Sequence, residues 1–238
     1  MATFAFIHGS TTTAACWDHV RPLLAEAGHR TVAIELPADR PEFTGADFTR
    51  VAVEQMSGAP DDCVVVAHSA SGVLLPRIAA ARPIATGVFL AAAIPEPGLS
   101  VTEQIQKNPD MLDPEWLAAS KEWRDPQKWL ALADRFLFPD ERPEDMEWAH
   151  STLRPMRLDG LAKDPLPPDA QFPPSACIIA TLDRTINPAW QERVWREKNY
   201  GRLIRMESGH CPQMSRPGET AKLILEAVAT GERRGRVE

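Results

Sequence analysis

The sequence predicts an α/β fold: a mostly parallel six-stranded sheet flanked by helices, with one helical insertion after the fourth strand. Three observations carry this expectation. Short β-branched or apolar runs alternate with stretches of helical apolar spacing, the pattern of strand–helix–strand units in a parallel sheet. Several runs are continuously apolar, as strands buried on both faces require. The alternation breaks once, from Pro95 to Pro174, where no strand-like run occurs and 13 of the 22 prolines fall.

In chain order, strands are expected at Thr3–Ile7, Thr31–Leu36, Cys63–Val66, Thr86–Ala91, Ala176–Ala180 and Leu203–Met206. Helices are expected around 17–27, 46–57, 71–82, 188–199 and 217–230. Gly28 sits where a glycine follows a helix C-terminus, and Pro188 and Pro217 sit in first-turn positions that tolerate proline. The chain thus divides into a core, residues 1–94 with 175–238, and an insertion, 95–174. Within the insertion, 114–123 and 126–137 have helical apolar spacing. Four of the seven tryptophans (Trp116, Trp123, Trp129 and Trp148) fall there, as insertion core, as pocket lining, or as both.

Composition narrows the function classes. A formal charge of -7 works against a nucleic-acid partner, which needs a basic surface to displace phosphate counterions. The one basic cluster, Arg233, Arg234 and Arg236, reads as a solvated tail. No run approaches the apolar length of a membrane span, and the first residues carry neither a basic n-region nor an export-length apolar segment. The four cysteines are scattered, without metal-ligand spacing. The expectation is a cytoplasmic protein with no bound metal, no membrane or nucleic-acid partner, and a homodimer among its candidate assemblies.

The chemistry starts at Ala67-His-Ser-Ala-Ser-Gly72, directly after the third strand and before a helix. That is the setting of a nucleophile elbow, where a serine occupies a strained turn and its neighbours two residues away must be small. Ala67 and Ser71 are small, although neither is glycine. A serine there could equally be a helix cap. A serine hydroxyl becomes nucleophilic only when a histidine takes its proton and an acid orients that histidine. His210 follows the sixth strand and Asp183 the fifth, both at the strand ends where open α/β sheets place their sites. Glu96, after the fourth strand, is the rival acid. His68 should point away from the serine hydroxyl. The first strand ends in His8-Gly9-Ser10, where Ser10 N–H and, after the nucleophile, Ala70 N–H are the expected oxyanion donors. His8 reads as a hydrogen-bonding tie between loops. No basic motif marks a pocket for phosphorylated substrates.

Together these motifs resemble the α/β-hydrolase superfamily, and more closely its plant methylesterase and hydroxynitrile lyase branch with bacterial relatives. The likeness spans most of the chain: F-I-H-G-S, the V-V-V-A-H-S-A-S-G elbow, V-F-L-A-A-A-I-P, D-R-T-I-N-P-A-W-Q and G-H-C-P-Q-M-S-R-P, in that order. The resemblance implies a serine esterase with the triad Ser69, Asp183 and His210, a helical cap over a mostly apolar pocket, no cofactor, and a small-molecule ester as substrate. It suggests Trp116 as an aromatic pocket residue. The lyases of this branch resemble the esterases but carry threonine and lysine where this chain has Gly9 and Cys211, which disfavours lyase chemistry. A non-hydrolytic ligand receptor on the same fold remains the alternative from another class.

Overall fold

The computed structural model describes residues 1–37 and 39–229; the arginine cluster and the final residue of the last expected helix lie outside them. Six strands form one sheet: β1 (Thr3–Ile7), β2 (Arg30–Ile34), β3 (Val64–His68), β4 (Thr86–Leu90), β5 (Ser175–Ala180) and β6 (Gly201–Met206). Their order is β2-β1-β3-β4-β5-β6, and every pairing is parallel. The strand order reverses between β1 and β3, so the loops leaving these two strands diverge and open a crevice at the sheet's C-terminal edge. That crevice receives the H-G-S loop and the elbow.

The period of two is visible in the core. Phe4, Phe6, Val64, Val66, Val88 and Ile178 face one side, against Trp17 and Ile224. Ala5, Ile7, Val65, Ala67, Phe89 and Ile179 face the other, against Phe48, Ile78 and Trp190. β1 and β3 are buried along their whole length, whereas the edge strands β2 and β6 are partly exposed.

Helices cover both faces: α1 (Arg21–Glu26), α2 (Gly45–Gln55), α3 (Leu75–Ala81), then, between β4 and β5, α4 (Val101–Lys107), α5 (Pro114–Ala119), α6 (Trp129–Phe136), α7 (Met146–Ser151) and α8 (Asp159–Lys163). After β5 come α9 (Pro188–Lys198), α10 (Pro212–Ser215) and α11 (Pro217–Ala229). Among the described residues no helix is long and apolar enough to cross a membrane.

Several expected boundaries move for local reasons. The first helix starts at Arg21, not near residue 17, because Pro22 belongs in a first turn and would break a helix interior. Pro76 acts in the same way, so residues Ser69–Leu74 form a 3-10 helix that leads into α3. β2 stops at Ile34 because the Gln55 side chain takes both backbone groups of Glu35, accepting from its N–H at 2.9 Å and donating to its carbonyl at 2.8 Å. The expected helix over 114–123 splits into α5 and the 3-10 turn Ser120–Arg124, ending where Pro126 forces Asp125 into an extended conformation.

The insertion is fastened to the two loops that matter most. Thr13 N–H donates to Thr152 O (2.8 Å) and Arg154 N–H to Thr11 O (3.0 Å), which braces the loop after β1. Asp113 N–H donates to Thr185 O (2.9 Å) and Asn187 N–H to Met111 O (3.0 Å), which braces the loop after β5. Its aromatics Trp116, Trp123 and Phe136 are buried and belong to the same hydrophobic cluster as one sheet face.

Candidate active site

Ser69 is the first residue of the turn between β3 and the 3-10 helix, and its φ is 57°, in the left-handed region that a serine rarely occupies. The surroundings hold it there. Ser71 Oγ lies 2.6 Å from the His68 carbonyl and 2.7 Å from the His8 carbonyl, so one hydroxyl ties the ends of β3 and β1. This explains a serine where glycine is commoner. The tightest approach falls one residue later: a Cβ on Gly72 would meet Ala93 O at 2.2 Å. Crowding in this turn is therefore relieved by Ala67, Ser71 and Gly72 together.

His210 bridges the two other expected residues. Its Nε2 lies 2.9 Å from Ser69 Oγ, and its Nδ1 lies 2.8 Å from Asp183 Oδ2. Asp183 is itself over-determined: its Oδ1 accepts from Thr185 N–H (2.7 Å), Ile186 N–H (3.2 Å) and Thr185 O–H (2.9 Å). Thr185 Oγ1 also lies 2.7 Å from His210 Nδ1. One arrangement satisfies every group: Thr185 O–H donates to the carboxylate, His210 Nδ1–H donates to Asp183, and the Nε2 lone pair faces the serine proton. Glu96, the rival acid, instead pairs with Lys107 at 2.6 Å.

His68 points away from the serine hydroxyl. Its Nε2–H donates to the His210 carbonyl at 2.8 Å, and its Nδ1 faces the Gln213 amide at 3.4 Å. Burial, reinforced by the neighbouring His210, holds its pKa well below the ordinary histidine value, so it is neutral. His8 ties strand ends: its Nε2 accepts from Leu36 N–H at 2.9 Å and its Nδ1 lies 2.7 Å from Gly9 O.

Ser69 and His210 open into a cavity of about 600 Å³, which Ser10, Ala70, Thr185 and Trp116 also line. Ala70 is the second residue of its helix, so its N–H has no partner within that helix. The walls are largely apolar, with Ile105, Met111, Leu137, Met156, Leu161 and Ile186 among them. One expectation is corrected here: two basic residues, Lys121 and Arg124, line this cavity. They come from the 3-10 turn Ser120–Arg124, and that turn was not visible as a pocket motif because its role depends on how the insertion folds back.

A profile described as the alpha/beta hydrolase family matches residues 4–223. The chain belongs to this family. Within the alpha/beta hydrolase family, two curated plant relatives are similar over nearly the whole chain. Polyneuridine aldehyde esterase from Rauvolfia serpentina is 27% identical over 94% of each chain. Methylesterase 8 from Arabidopsis thaliana is 27% identical over 90% of this chain and 85% of its own. The solved structure of a pyrethroid hydrolase superposes with a TM-score of 0.80 at 21% identity, covering 99% of both chains, which shows the shared fold.

Sequence reasoning missed Thr185. Asp183-Arg-Thr185 is the signal that could have found it, since an aspartate side chain in a loop commonly accepts from the backbone two residues on, which here brings Thr185 and its hydroxyl to the carboxylate.

Proposed function

We propose that the protein is a carboxylic ester hydrolase that works through an acyl-enzyme, with residues 95–174 as the cap over its pocket. The unbroken hydrogen-bonded chain from Ser69 Oγ through His210 to Asp183, at the floor of an apolar cavity, carries this reading. The esterase names of the curated relatives support it.

Ser69 Oγ attacks the ester carbonyl as its proton passes to His210 Nε2, and Asp183 stabilises the imidazolium that forms. The carbonyl oxygen becomes negative beside the Ser10 and Ala70 N–H groups, each worth about 3 to 4 kcal/mol to the transition state. His210 then protonates the departing alcohol, and the ester bond breaks. Water attacks the acyl-Ser69 carbonyl while giving a proton to His210, and the acid leaves with Ser69 restored. Asp183 Oδ1 keeps its three donors, Thr185 N–H, Thr185 O–H and Ile186 N–H, throughout.

The test is covalent labelling with a fluorophosphonate probe together with turnover of short aryl acetates. Both should vanish in Ser69→Ala. Equal behaviour of wild type and Ser69→Ala overturns the reading, and strong ligand stabilisation without any turnover would favour a receptor.

A further inference from the structure

Resting on the esterase reading, we infer that the rim formed by Lys121 and Arg124 binds an anionic group on the substrate, remote from the scissile ester. The preferred substrate class is then an amphipathic ester: an apolar body for the cavity, ending in a carboxylate or equivalent anion at its mouth.

The 3-10 turn Ser120–Arg124 supplies the geometry. In a 3-10 helix, side chains three residues apart eclipse one another, so positions 120 and 123 share one face and 121 and 124 share the next. Trp123 is 1% exposed and turned into the cavity wall, which sets Lys121 and Arg124 side by side at its solvent edge. Both are exposed, and both line the same cavity as Ser69 and His210.

Charge pairing singles out Lys121. The other charged residue on the lining, Asp159, lies 3.4 Å from Arg124, and its side chain is half-buried where that of Arg124 is exposed. Among the described residues, no carboxylate lies within 4.0 Å of the Lys121 ammonium. Its close neighbour on the same turn, Glu122, is engaged by Lys128 at 2.7 Å. A protein of net charge -7 thus keeps an unneutralised cation at the edge of a largely apolar pocket. An apolar pocket rewards hydrocarbon and rejects an unpaired charge, so it favours a methyl end; a cation at the rim reverses that preference for an anionic end that reaches it.

Matched p-nitrophenyl esters test this. Hexanoate, octanoate and decanoate are compared with the monoesters of adipate, suberate and sebacate, which replace the terminal methyl by a carboxylate. The wild type should favour the carboxylate member at one or more lengths, by about 2- to 5-fold in kcat/KM at low salt, as solvent-exposed charge pairs allow. That ratio should collapse at about 1 M salt, where the Debye length falls to ~3 Å. It should also collapse in Lys121→Met, fall in Arg124→Met and rise in Asp159→Asn, with the neutral ester of each variant as its internal reference. Equal or better use of the neutral ester at every length overturns the rim, as does a preference that survives both cation substitutions, while the esterase reading stands. If no ester is turned over faster than by Ser69→Ala, the esterase reading fails. The rim is then judged by whether 7-oxooctanoate binds more tightly than 2-octanone, with equal affinity overturning it.

Discussion

Asp140 Oδ2 accepts the backbone N–H of Gly209 at 2.9 Å, so a carboxylate from the insertion holds the residue immediately before His210. The same oxygen accepts Ser215 O–H at 3.2 Å, on the far side of the histidine. The approach is close: a Cβ on Gly209 would stand 2.5 Å from Asp140 Oδ1 and would displace that carboxylate. The loop carrying His210 is therefore gripped at both ends by one residue of the insertion, and the position of the imidazole depends on the insertion being docked.

Asp140→Ala should lower kcat by about 10-fold with a smaller change in KM, because a displaced general base weakens the transition state more than the ground state. Asp140→Asn keeps an acceptor for Gly209 N–H and should retain most of the activity. Steady-state kinetics beside thermal melts separate this from simple destabilisation: a loss of Tm with unchanged kcat in Asp140→Ala would count against positioning.

Thr185 extends the same logic to the other side of the imidazole. Removing its hydroxyl in Thr185→Val leaves Asp183 Oδ1 with only its two backbone donors and takes an oxygen from beside His210 Nδ1. The expected result is a fall in kcat/KM of about 5- to 13-fold, the scale of one hydrogen bond worth about 1 to 1.5 kcal/mol. Thr185→Ser should recover it. Equal activity in the valine and serine variants would show that the backbone donors suffice.

The contrast between these residues and the triad explains what the sequence could reveal. Ser69, Asp183 and His210 each follow a recognisable strand, and the order of three residues in the loops past strand ends is readable without coordinates. Asp140 and Thr185 act through contacts that only packing creates: Asp140 meets Gly209 across 69 residues, from a proline-rich stretch with no periodic pattern. The same holds for Lys121 and Arg124, whose cavity-facing position follows from a 3-10 turn set by Pro126. The sheet was legible because its buried strands are continuous apolar runs. The helix starts were less so, because Pro22 and Pro76 decide where a helical turn becomes α rather than 3-10.

Gly72→Ala should destabilise the protein by about 2 to 3 kcal/mol, since the obstacle at 2.2 Å is a backbone carbonyl that cannot rotate away. For a chain of this size that is a Tm loss of about 5 to 10 °C. Gly58→Ala is the control, because nothing lies within 4 Å of the point where its new methyl would stand and its φ is ordinary. Similar melting temperatures for the two variants would refute the close-approach account of the elbow.

His68 should make stability fall on acidification. Burial, aided by the nearby His210, depresses its folded-state pKa well below the ordinary value, whereas in the unfolded chain it titrates near ~6.5. Below that pH the unfolded state binds the proton and the folded state does not, so unfolding gains a proton and is favoured as pH drops. The stabilisation is fully present above ~6.5 and is lost as pH falls from there towards the folded pKa, at about 1.4 kcal/mol per pH unit. His68→Gln retains an amide N–H for the His210 carbonyl but cannot titrate. Melts between pH 7.5 and 5 should therefore show a steeper decline for the wild type, by about 3 to 5 °C per unit. Parallel declines would mean that folding does not shift the His68 pKa, and burial would not be holding the ring neutral.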